Sequence, residues 1–356
     1  MKKIKVLIVD DSAVVRRSLT QLLSSDDKIE VIGCAPDPLV AVTKMAKQAP
    51  DVVLLDVEMP RMDGISFLRK IMEQHPLPVI ICSSFVEQGS DVFDKAVEYG
   101  AVGVVLKPQL GSHERLHEAQ ILLTDAVKAA ALTKPTKLTF SRLKSRGAKL
   151  DADVVLAKTS TNKTFTATEK IIVVGASTGG TEALSVFLSG LPHNFPGVVV
   201  VQHMPKGFTN SFAKRLDGLC AMSVKEAEKG DDIVCGRVLI APGGKHILCK
   251  RKGTHYYVDV IDGELVSRHR PSVDVLFRSA ARYAGNNAFA VIMTGMGDDG
   301  AKGMKEMHTV GAKTIAQDQA SSVVFGMPRV AIELGGVDKI VPLDNIAQEL
   351  AKFLKQ

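Results

Sequence analysis

The chain has 356 residues, is 46% hydrophobic and 24% charged, and carries a formal net charge of +6. This length exceeds what one hydrophobic core usually supports, so we expect two domains. The positive excess lies in one stretch, residues 126–170, which has ten basic and three acidic side chains. A basic face for nucleic acid is therefore not favoured by the charge pattern.

Apolar runs in this chain are short. None approaches the roughly 18 residues of a membrane span, and the first is interrupted by Asp10 and Asp11, which favours a buried strand over a secretory signal. The five cysteines are scattered without a C-x-x-C pair. We therefore expect reduced thiols and a cytoplasmic protein.

The first 122 residues alternate apolar runs with amphipathic segments. The runs are KVLIVD, EVIGCA, DVVLLDV, PVIICSS and GVVLKP. Strands that alternate with helices in this way predict a parallel, doubly wound sheet covered on both faces. We predict an N-terminal α/β domain over residues 1–122.

The stretch from 123 to 168 loses this pattern and is rich in Lys, Ser and Thr. It has few large apolar side chains whose burial would offset the entropy of ordering the chain. We predict a basic flexible linker over 123–168.

A second alternating series occupies residues 169–356. Its apolar runs are KIIVVGAS, GVVVVQHM, GRVLIAP, YYVDVI, AFAVIMTG and AKTIAQD. They predict a second α/β domain with a mostly parallel sheet. The segment YYVDVIDGELVS predicts a hairpin that turns at Asp262-Gly263.

Acidic residues end two of the N-terminal strands. Asp10 and Asp11 close the first strand and Asp56 closes the third. Because the carboxyl ends of strands in a doubly wound sheet share one crevice, these three carboxylates would repel one another without a cation. Mg²⁺ fits, since it accepts carboxylate oxygens and leaves positions for a phosphate oxygen.

Two further polar residues end neighbouring strands. Ser83 ends the fourth strand and Lys107 the fifth, where both could contact a phosphoryl group. Each acidic or polar residue alone has an ordinary explanation, such as a helix N-cap or a loop acid. Their joint occurrence at matching strand ends predicts a site for phosphoryl chemistry.

The motifs VDDS, LLDVEMPRMDG, ICSS and LKP make this region resemble the receiver domain of two-component response regulators. The resemblance implies a flavodoxin-like fold of five parallel strands. It also assigns roles to particular residues: Asp56 as phospho-acceptor, Asp10 and Asp11 with Asp56 as Mg²⁺ ligands, Ser83 as switch hydroxyl, and Lys107 as the contact to the phosphoryl group.

Val104 departs from the receiver pattern. Many receivers carry an aromatic switch residue three positions before the lysine, so the rotation of an aromatic ring is not expected here. The resemblance also implies a cis peptide at Lys107-Pro108, which proline makes accessible.

Ser177 lies in the segment VVGASTGG, between a predicted strand and a predicted helix. GASTG matches the G-x-S-x-G nucleophile elbow, and a helix N-terminus favours developing negative charge. A Walker loop would need Gly-Lys-Ser/Thr, and a dinucleotide turn would need glycine where Ser177 stands. The motif therefore favours a nucleophilic serine over a phosphate-binding turn.

A serine nucleophile needs a base and an orienting acid. His203 ends the run VVVVQHMP and is the candidate base. Asp298 and Asp299 follow AFAVIMTG in the loop MTGMGDDGAKG, and spacing alone does not choose between them. Three strand ends would then converge on one crevice.

The motifs VGASTGG, VVQHMP, LIAPGGKH, RHRPSVDVLF, MTGMGDDGA and QDQASSVVFGMP occur in this order and resemble the catalytic domain of the chemotaxis protein-glutamate methylesterase family, CheB. With the receiver and the linker, the resemblance covers essentially the whole chain. It implies the triad Ser177, His203 and Asp299. It also implies an oxyanion site of backbone N–H groups near Met296, with Thr178 bordering the nucleophile.

The resemblance further implies a function. The chain would hydrolyse glutamate γ-methyl esters on methyl-accepting chemotaxis receptors, and also deamidate glutamines, without a metal in this step. A chemotaxis histidine kinase would supply the phosphoryl group, with Mg²⁺ at the receiver. Receiver and esterase would be coupled either by relief of a blocked site or by direct activation, and the sequence does not choose.

Two other classes of function compete with this interpretation. A non-catalytic, phosphorylation-switched binding protein would use the same fold, but an intact Ser, His and Asp set argues against it. A transcription regulator would need a helix-turn-helix module, and the C-terminal half has an α/β pattern instead.

Overall fold

The computed structural model describes residues 3–57, 59, 64–83, 95–96, 99–108, 113–133, 152–156 and 169–354. The chain divides into two compact units, Met1–Arg142 and Leu143–Gln356. Each unit contains its own parallel sheet. Among the described residues, no helix has both the length and the apolar character needed to cross a bilayer.

The first unit contains a five-stranded parallel sheet of order β2-β1-β3-β4-β5. Its strands are β1 (Ile4–Val9), β2 (Ile29–Ala35), β3 (Val52–Asp56), β4 (Val79–Ser83) and β5 (Gly103–Leu106). The four helices with described bounds are α1 (Ala13–Ser24), α2 (Pro38–Lys47), α3 (Gly64–Gln74) and α4 (His113–Leu132). The predicted doubly wound fold is confirmed.

Both faces of this sheet are buried, as the continuous apolar runs predict. Along β1, Val6 and Ile8 pack on the side of α1 and α4, whereas Leu7 and Val9 pack on the side of α3. This alternation follows from the period of two along a strand. Helices on both faces leave only the strand ends free to carry polar groups.

Helix α4 extends beyond the domain boundary predicted at residue 122. Residues 123–132 form its second half, and Leu123, Val127 and Ala130 are buried against the sheet. This segment reads LTDAVKAAAL, with apolar residues at helical spacing, and so differs from the Lys-, Ser- and Thr-rich sequence that follows it. The part of the predicted linker nearest the receiver is therefore a helix of the first unit.

The peptide bond at Lys107-Pro108 also differs from expectation. Within the described ranges the cis bond is Arg270-Pro271, and Lys107-Pro108 is not cis. An X–Pro bond favours trans by only about 0.5–1 kcal/mol, so the proline alone did not determine the isomer.

The second unit contains a seven-stranded parallel sheet of order β14-β13-β12-β6-β7-β9-β8. Its strands are β6 (Ile171–Ala176), β7 (Gly197–Gln202), β8 (Ser223–Glu226), β9 (Arg237–Ile240), β12 (Ala288–Ile292), β13 (Lys313–Gln317) and β14 (Lys339–Val341). Strand β6 lies at the centre, between β12 and β7. The predicted α/β domain with a mostly parallel sheet is confirmed.

The helices of the second unit connect these strands. They are α5 (Gly180–Ser189), α6 (Phe208–Asp217), α7 (Val273–Tyr283), α8 (Ala301–Thr309), α9 (Met327–Glu333) and α10 (Ile346–Leu354). Helix α7 packs on the sheet through Leu276, Phe277 and Ala280, which are fully buried. Its N-terminus thereby lies where it can serve the site described below.

The predicted hairpin at Asp262-Gly263 is wrong in its position. Strand β11 (His255–Ile261), which contains YYVDVI, pairs antiparallel with the preceding strand β10 (His246–Lys252). The chain turns at Gly253-Thr254, where Gly253 has φ of +63°. A left-handed backbone conformation of this kind suits glycine, so Gly253 rather than Gly263 marks the turn.

A second part of the predicted linker is also ordered. Residues 152–156 contain a 3₁₀ turn, and Ala152 is completely buried beside Val266 and Val275. The buried Arg278 holds this segment by donating to the Asp153 carboxylate and to the Leu156 carbonyl at 3.0 Å. Residues 152–156 are therefore part of the second unit.

Substitution of Arg278 tests how much this residue contributes to stability. Its guanidinium also donates twice to Glu306, at 2.9 and 2.6 Å, so Arg278→Met removes these hydrogen bonds and leaves the half-buried Glu306 carboxylate unpaired. We expect a loss of about 1.5–3 kcal/mol in the free energy of unfolding, the range for hydrogen bonds to charged groups. Asp153→Asn should cost less than about 1 kcal/mol, because the Asp153 side chain is 53% exposed. Urea titrations followed by circular dichroism measure both, and equal losses would contradict this account.

Candidate functional site

Ser177 and His203 leave adjacent strands at the same edge of the second sheet. The register pairs Ala176 of β6 with Gln202 of β7, so the next residue on each strand is Ser177 or His203. The His203 N–H donates to the Ala176 carbonyl at 3.2 Å, which extends the ladder by one step. The sequence prediction that these two residues lie together is consistent with this register.

The backbone of Ser177 is fixed on both sides. Its N–H donates to the Thr294 carbonyl at 3.0 Å. Its carbonyl accepts from the Gly180 N–H at 2.8 Å and from Gln202 Nε2 at 2.9 Å. The turn before α5 is thus held to both neighbouring strand ends, which restricts where the hydroxyl can lie.

His203 contacts Asp299 through one ring nitrogen. The distance from Nε2 to Asp299 Oδ2 is 2.7 Å, and both side chains are largely buried. The other nitrogen, Nδ1, is buried and has no hydrogen-bond partner among the described residues. Ser177 and Nδ1 are therefore not hydrogen-bonded here, and catalytic hydrogen bonds often close only when substrate is bound.

The Asp299 carboxylate caps a helix that it does not belong to. Oδ2 accepts from the Val273 N–H at 2.7 Å, and Oδ1 accepts from the Asp274 N–H at 3.0 Å and Ser272 Oγ at 2.8 Å. These donors form the N-terminus of α7, where unpaired N–H groups favour an anion.

This setting explains the ionisation of Asp299. Burial by itself would raise the pKa of the carboxyl, but the hydrogen bond and charge of His203, the charge of His269 and the Val273 N–H together lower it. Asp299 is therefore ionised at neutral pH. Of the two adjacent acids, the structure places Asp299, and not Asp298, against the His203 ring.

Met296 and Thr178 have N–H groups that suit an oxyanion site. The Gly295 carbonyl, in the peptide that carries the Met296 N–H, accepts hydrogen bonds from the N–H groups of Gly326 and Met327. The Ser177 carbonyl, in the peptide that carries the Thr178 N–H, accepts the two hydrogen bonds described above. A trans peptide points its N–H opposite to its carbonyl, so both N–H groups face away from these anchors. Neither has an acceptor within the described part of the chain.

A close approach between two loops requires glycine next to Met296. A Cβ on Gly295 would lie 2.8 Å from the Ser177 Cβ. The glycine loop and the serine turn are therefore in contact, which brings the Met296 peptide to the side of Ser177.

His203, His269 and Asp299 form a cluster whose potential ligand atoms lie within 4.8 Å of one another. The two imidazole rings are parallel, 3.6 Å apart, so their in-plane lone pairs do not meet at a single ion. The Asp299 oxygens already accept four hydrogen bonds. This geometry fits an acid–base pair better than a set of metal ligands.

Several residues of this site were missed by the sequence analysis. Thr294, Gln202 and Gln317 are buried and hold the serine turn: Thr294 Oγ1 donates to the Thr178 carbonyl at 2.9 Å, and Gln317 Oε1 accepts from the Thr294 N–H at 2.8 Å. The position of Ser272 directly before a helical pattern indicates an N-cap and not a partner of the triad. Its hydroxyl bonds Asp299 instead of its own helix.

The acidic residues of the first unit also lie together. Asp10, Asp11 and Asp56 each offer a carboxylate oxygen within 4.8 Å of the others, a set that suits a hard cation such as Mg²⁺. Lys107 Nζ lies 2.8 Å from both Asp10 Oδ2 and Asp56 Oδ2. Burial would lower the pKa of Lys107, but these two carboxylates raise it, so the ammonium stays charged.

Ser83 and Val104 complete the description of this edge. Ser83 is buried at the end of β4, as predicted from the strand pattern. Val104 lies in β5 and packs, partly buried, against the core beside α3. A small branched side chain therefore fills the position where the receiver pattern expects an aromatic ring.

Asp274 is a second buried acid next to the site, and its titration is testable. Burial, followed by the charge of Asp299, raises its pKa to about 8 from a model-compound value of 3.8. Between pH 4 and 8 the unfolded chain ionises Asp274 while the folded chain keeps it protonated. Stability should therefore fall with rising pH, by up to about 1.4 kcal/mol per pH unit.

Asp274→Asn removes this pH dependence, because an amide does not titrate. The amide oxygen can still accept the hydrogen bond from the Gly303 N–H, which lies 2.8 Å from Asp274 Oδ1. The difference in unfolding free energy between variant and wild type should grow in favour of the variant from pH 4 to pH 8. Asp262→Asn, at an exposed carboxylate, is the control and should show no such trend. A pH-independent difference for Asp274→Asn would contradict the raised pKa.

Comparisons with known proteins identify the families that both units resemble. Residues 172–350 match the CheB methylesterase family, and residues 6–120 match the response regulator receiver domain. The chain is 59% identical over 353 residues to protein-glutamate methylesterase/protein-glutamine glutaminase 3 of Geobacter metallireducens, covering 99% of each chain. It is 58% identical over 354 residues to protein-glutamate methylesterase/protein-glutamine glutaminase 5 of Anaeromyxobacter dehalogenans, covering 99% of this chain and 98% of the relative.

A solved structure supports the second unit in particular. The Thermotoga maritima CheB methylesterase catalytic domain superposes with a TM-score of 0.51 at 41% identity, covering 52% of this chain and 100% of that one. Family matches therefore extend over both units, and full-length relatives cover nearly every residue. The chain belongs to the CheB methylesterase family, with a response regulator receiver domain preceding the methylesterase domain.

Proposed function

We propose that this chain hydrolyses glutamate γ-methyl esters on the cytoplasmic domains of chemoreceptors, under control of phosphorylation at Asp56. The observation that carries the proposal is the convergence of Ser177, His203 and Asp299 at one sheet edge. The curated relatives are named for this esterase activity and for glutaminase activity. Sensory adaptation in chemotaxis is the role that fits such an enzyme.

The first half of the reaction uses His203 as a base. Because Asp299 occupies Nε2, the unpartnered Nδ1 is the nitrogen available to take the Ser177 proton. The serine oxygen then attacks the ester carbon, and the N–H groups of Met296 and Thr178 receive the oxyanion. The imidazolium gives its proton to the methoxy oxygen as the C–O bond breaks, and methanol leaves.

The second half releases the glutamate. His203 takes a proton from water, the hydroxide oxygen attacks the acyl carbon, and the serine oxygen leaves with the proton returned by the imidazolium. Asp299 holds the ring in the Nε2–H tautomer and stabilises its charged form. The same cycle converts glutamine to glutamate with ammonia as the leaving group. No metal is required in these steps.

The receiver site would supply the control. Mg²⁺ would be held by Asp10, Asp11 and Asp56, and it would neutralise charge while Asp56 accepts a phosphoryl group from a chemotaxis histidine kinase. Lys107 forms an ion pair with Asp56 and would pair with the oxygens of the phosphoryl group after transfer. Ser83 lies at the end of the adjacent strand. The added charge of roughly −2 would shift the equilibrium between two surface states.

The domain boundaries fit this division of labour. We propose a receiver unit that includes α4 to Leu132, a connecting stretch, and a methylesterase unit that begins with the packed segment 152–156. The protein would act in the cytoplasm, where the receptor methyl esters are exposed.

Methanol release from a methylated chemoreceptor cytoplasmic fragment tests the proposal. Wild type should release methanol, and Ser177→Ala should lower kcat by roughly 10⁴-fold or more, because the nucleophile is lost. Ser189→Ala, at the exposed end of α5, is the matched control and should keep wild-type activity.

The same assay tests the control by phosphorylation. Acetyl phosphate with Mg²⁺ should raise the wild-type rate and leave Asp56→Asn unchanged. A phosphodonor response retained in Asp56→Asn would refute Asp56 as acceptor. No methanol from the wild type under any condition would refute the esterase and favour a phosphorylation-switched binding protein.

A further inference from the structure

His269 lies flat against the proposed base. The ring centroids of His203 and His269 are 3.6 Å apart and the planes differ by 4°. Asp299 contacts the edge of the His203 ring through Nε2, so the two neighbours use different parts of one imidazole. The sequence analysis gave His269 no role, although it lies in the motif RHRPSVDVLF.

The backbone around His269 is built to present this ring. Val266 and His269 exchange two backbone hydrogen bonds, of 3.1 and 2.9 Å, and His269 Nδ1 lies 2.9 Å from the Ser267 carbonyl. That carbonyl is an acceptor only, so Nδ1 carries the proton. Ser267 and Arg268 have φ of +50° and +72°, which non-glycine residues rarely adopt.

Further contacts tie the turn to the acid side of the site. Ser267 Oγ donates to Asp274 Oδ2 at 3.0 Å, and the Asp274 N–H donates to Asp299 Oδ1 at 3.0 Å. The turn that carries His269 and the carboxylate that orients His203 therefore share Asp274. A strained turn with this many anchors holds the His269 ring in one place.

Stacking restricts the orientation of His203. A flat neighbour at van der Waals distance opposes tilting of the His203 ring, and it leaves the ring plane, in which the Nδ1 lone pair lies, to other contacts. A branched aliphatic side chain of similar size provides no flat surface against the ring.

We propose that His269 is a positioning residue, which fixes the plane of the His203 imidazole through the parallel stack. The inference rests on the proposed function for its kinetic consequence, but the stacking itself does not depend on the substrate. His269 acts through His203 and contacts no reacting atom in this account.

Two substitutions of the full-length protein separate stacking from simple packing. His269→Phe keeps a flat aromatic ring, whereas His269→Leu keeps apolar bulk without one. For methanol release we expect kcat of His269→Leu to fall about 10-fold or more with KM little changed, because a misaligned base slows chemistry rather than binding. His269→Phe should restore kcat to within about threefold of wild type. Both should unfold at similar temperatures.

A substrate-free measurement distinguishes failure of this inference from failure of the proposed function. The Nε2–H proton of His203, bonded to Asp299, is followed by NMR of protein labelled with ¹⁵N-histidine. Its exchange with water should be at least tenfold faster in His269→Leu than in His269→Phe, because a tilting ring breaks that bond more often. Equal exchange rates, or equal kcat values in the two variants, would overturn the proposal. If the wild type releases no methanol, the esterase is refuted while the exchange comparison still decides the role of His269.

Discussion

The site of the second unit depends on one buried carboxylate. An ionised group inside a protein must be paired and hydrogen-bonded, because burying it unpaired costs several kcal/mol. Asp299 meets this requirement with two N–H groups at the start of α7, the Ser272 hydroxyl and the His203 ring. The glycine loop, the helix and the proposed base are consequently one mechanical unit. Moving the helix or the proposed base would remove at least one of these donors from the carboxylate.

The two units apply the same principle at different sheets. In each, polar groups gather at the carboxyl ends of parallel strands, where the faces are covered by helices and only this edge is open. In the receiver, negative charge is balanced by Lys107, which contacts both Asp10 and Asp56. In the methylesterase domain it is balanced by a helix N-terminus and an imidazole. Binding of a cation or a phosphoryl group would change the charge at the receiver site, whereas proton transfer would change the charge at the methylesterase site.

The sequence determined most of the strands and the residues at their ends, since apolar runs mark buried parallel strands and the next residue must lie at the edge. It did not determine features that depend on tertiary contacts. The boundary predicted at residue 122 falls inside α4, whose second half packs on the sheet through Val127 and Ala130, a tertiary contact that the composition of the stretch does not reveal. The hairpin was predicted at Asp262-Gly263 because a strand pattern alone does not say whether a strand pairs with the preceding or the following segment. The stacking of His269 on His203 brings together residues 66 positions apart in the sequence, and no local pattern encodes such a contact.

The most direct test of the central claim is the protonation state of the two His203 nitrogens, measured from their ¹⁵N chemical shifts in the resting protein. The account predicts that the neutral ring carries its proton on Nε2, facing Asp299, and that Nδ1 is unprotonated and available to Ser177. In Asp299→Asn this preference should weaken or reverse, because an amide can also donate to the ring. A wild-type ring protonated on Nδ1 would contradict the account, because the nitrogen assigned to take the serine proton would already hold one.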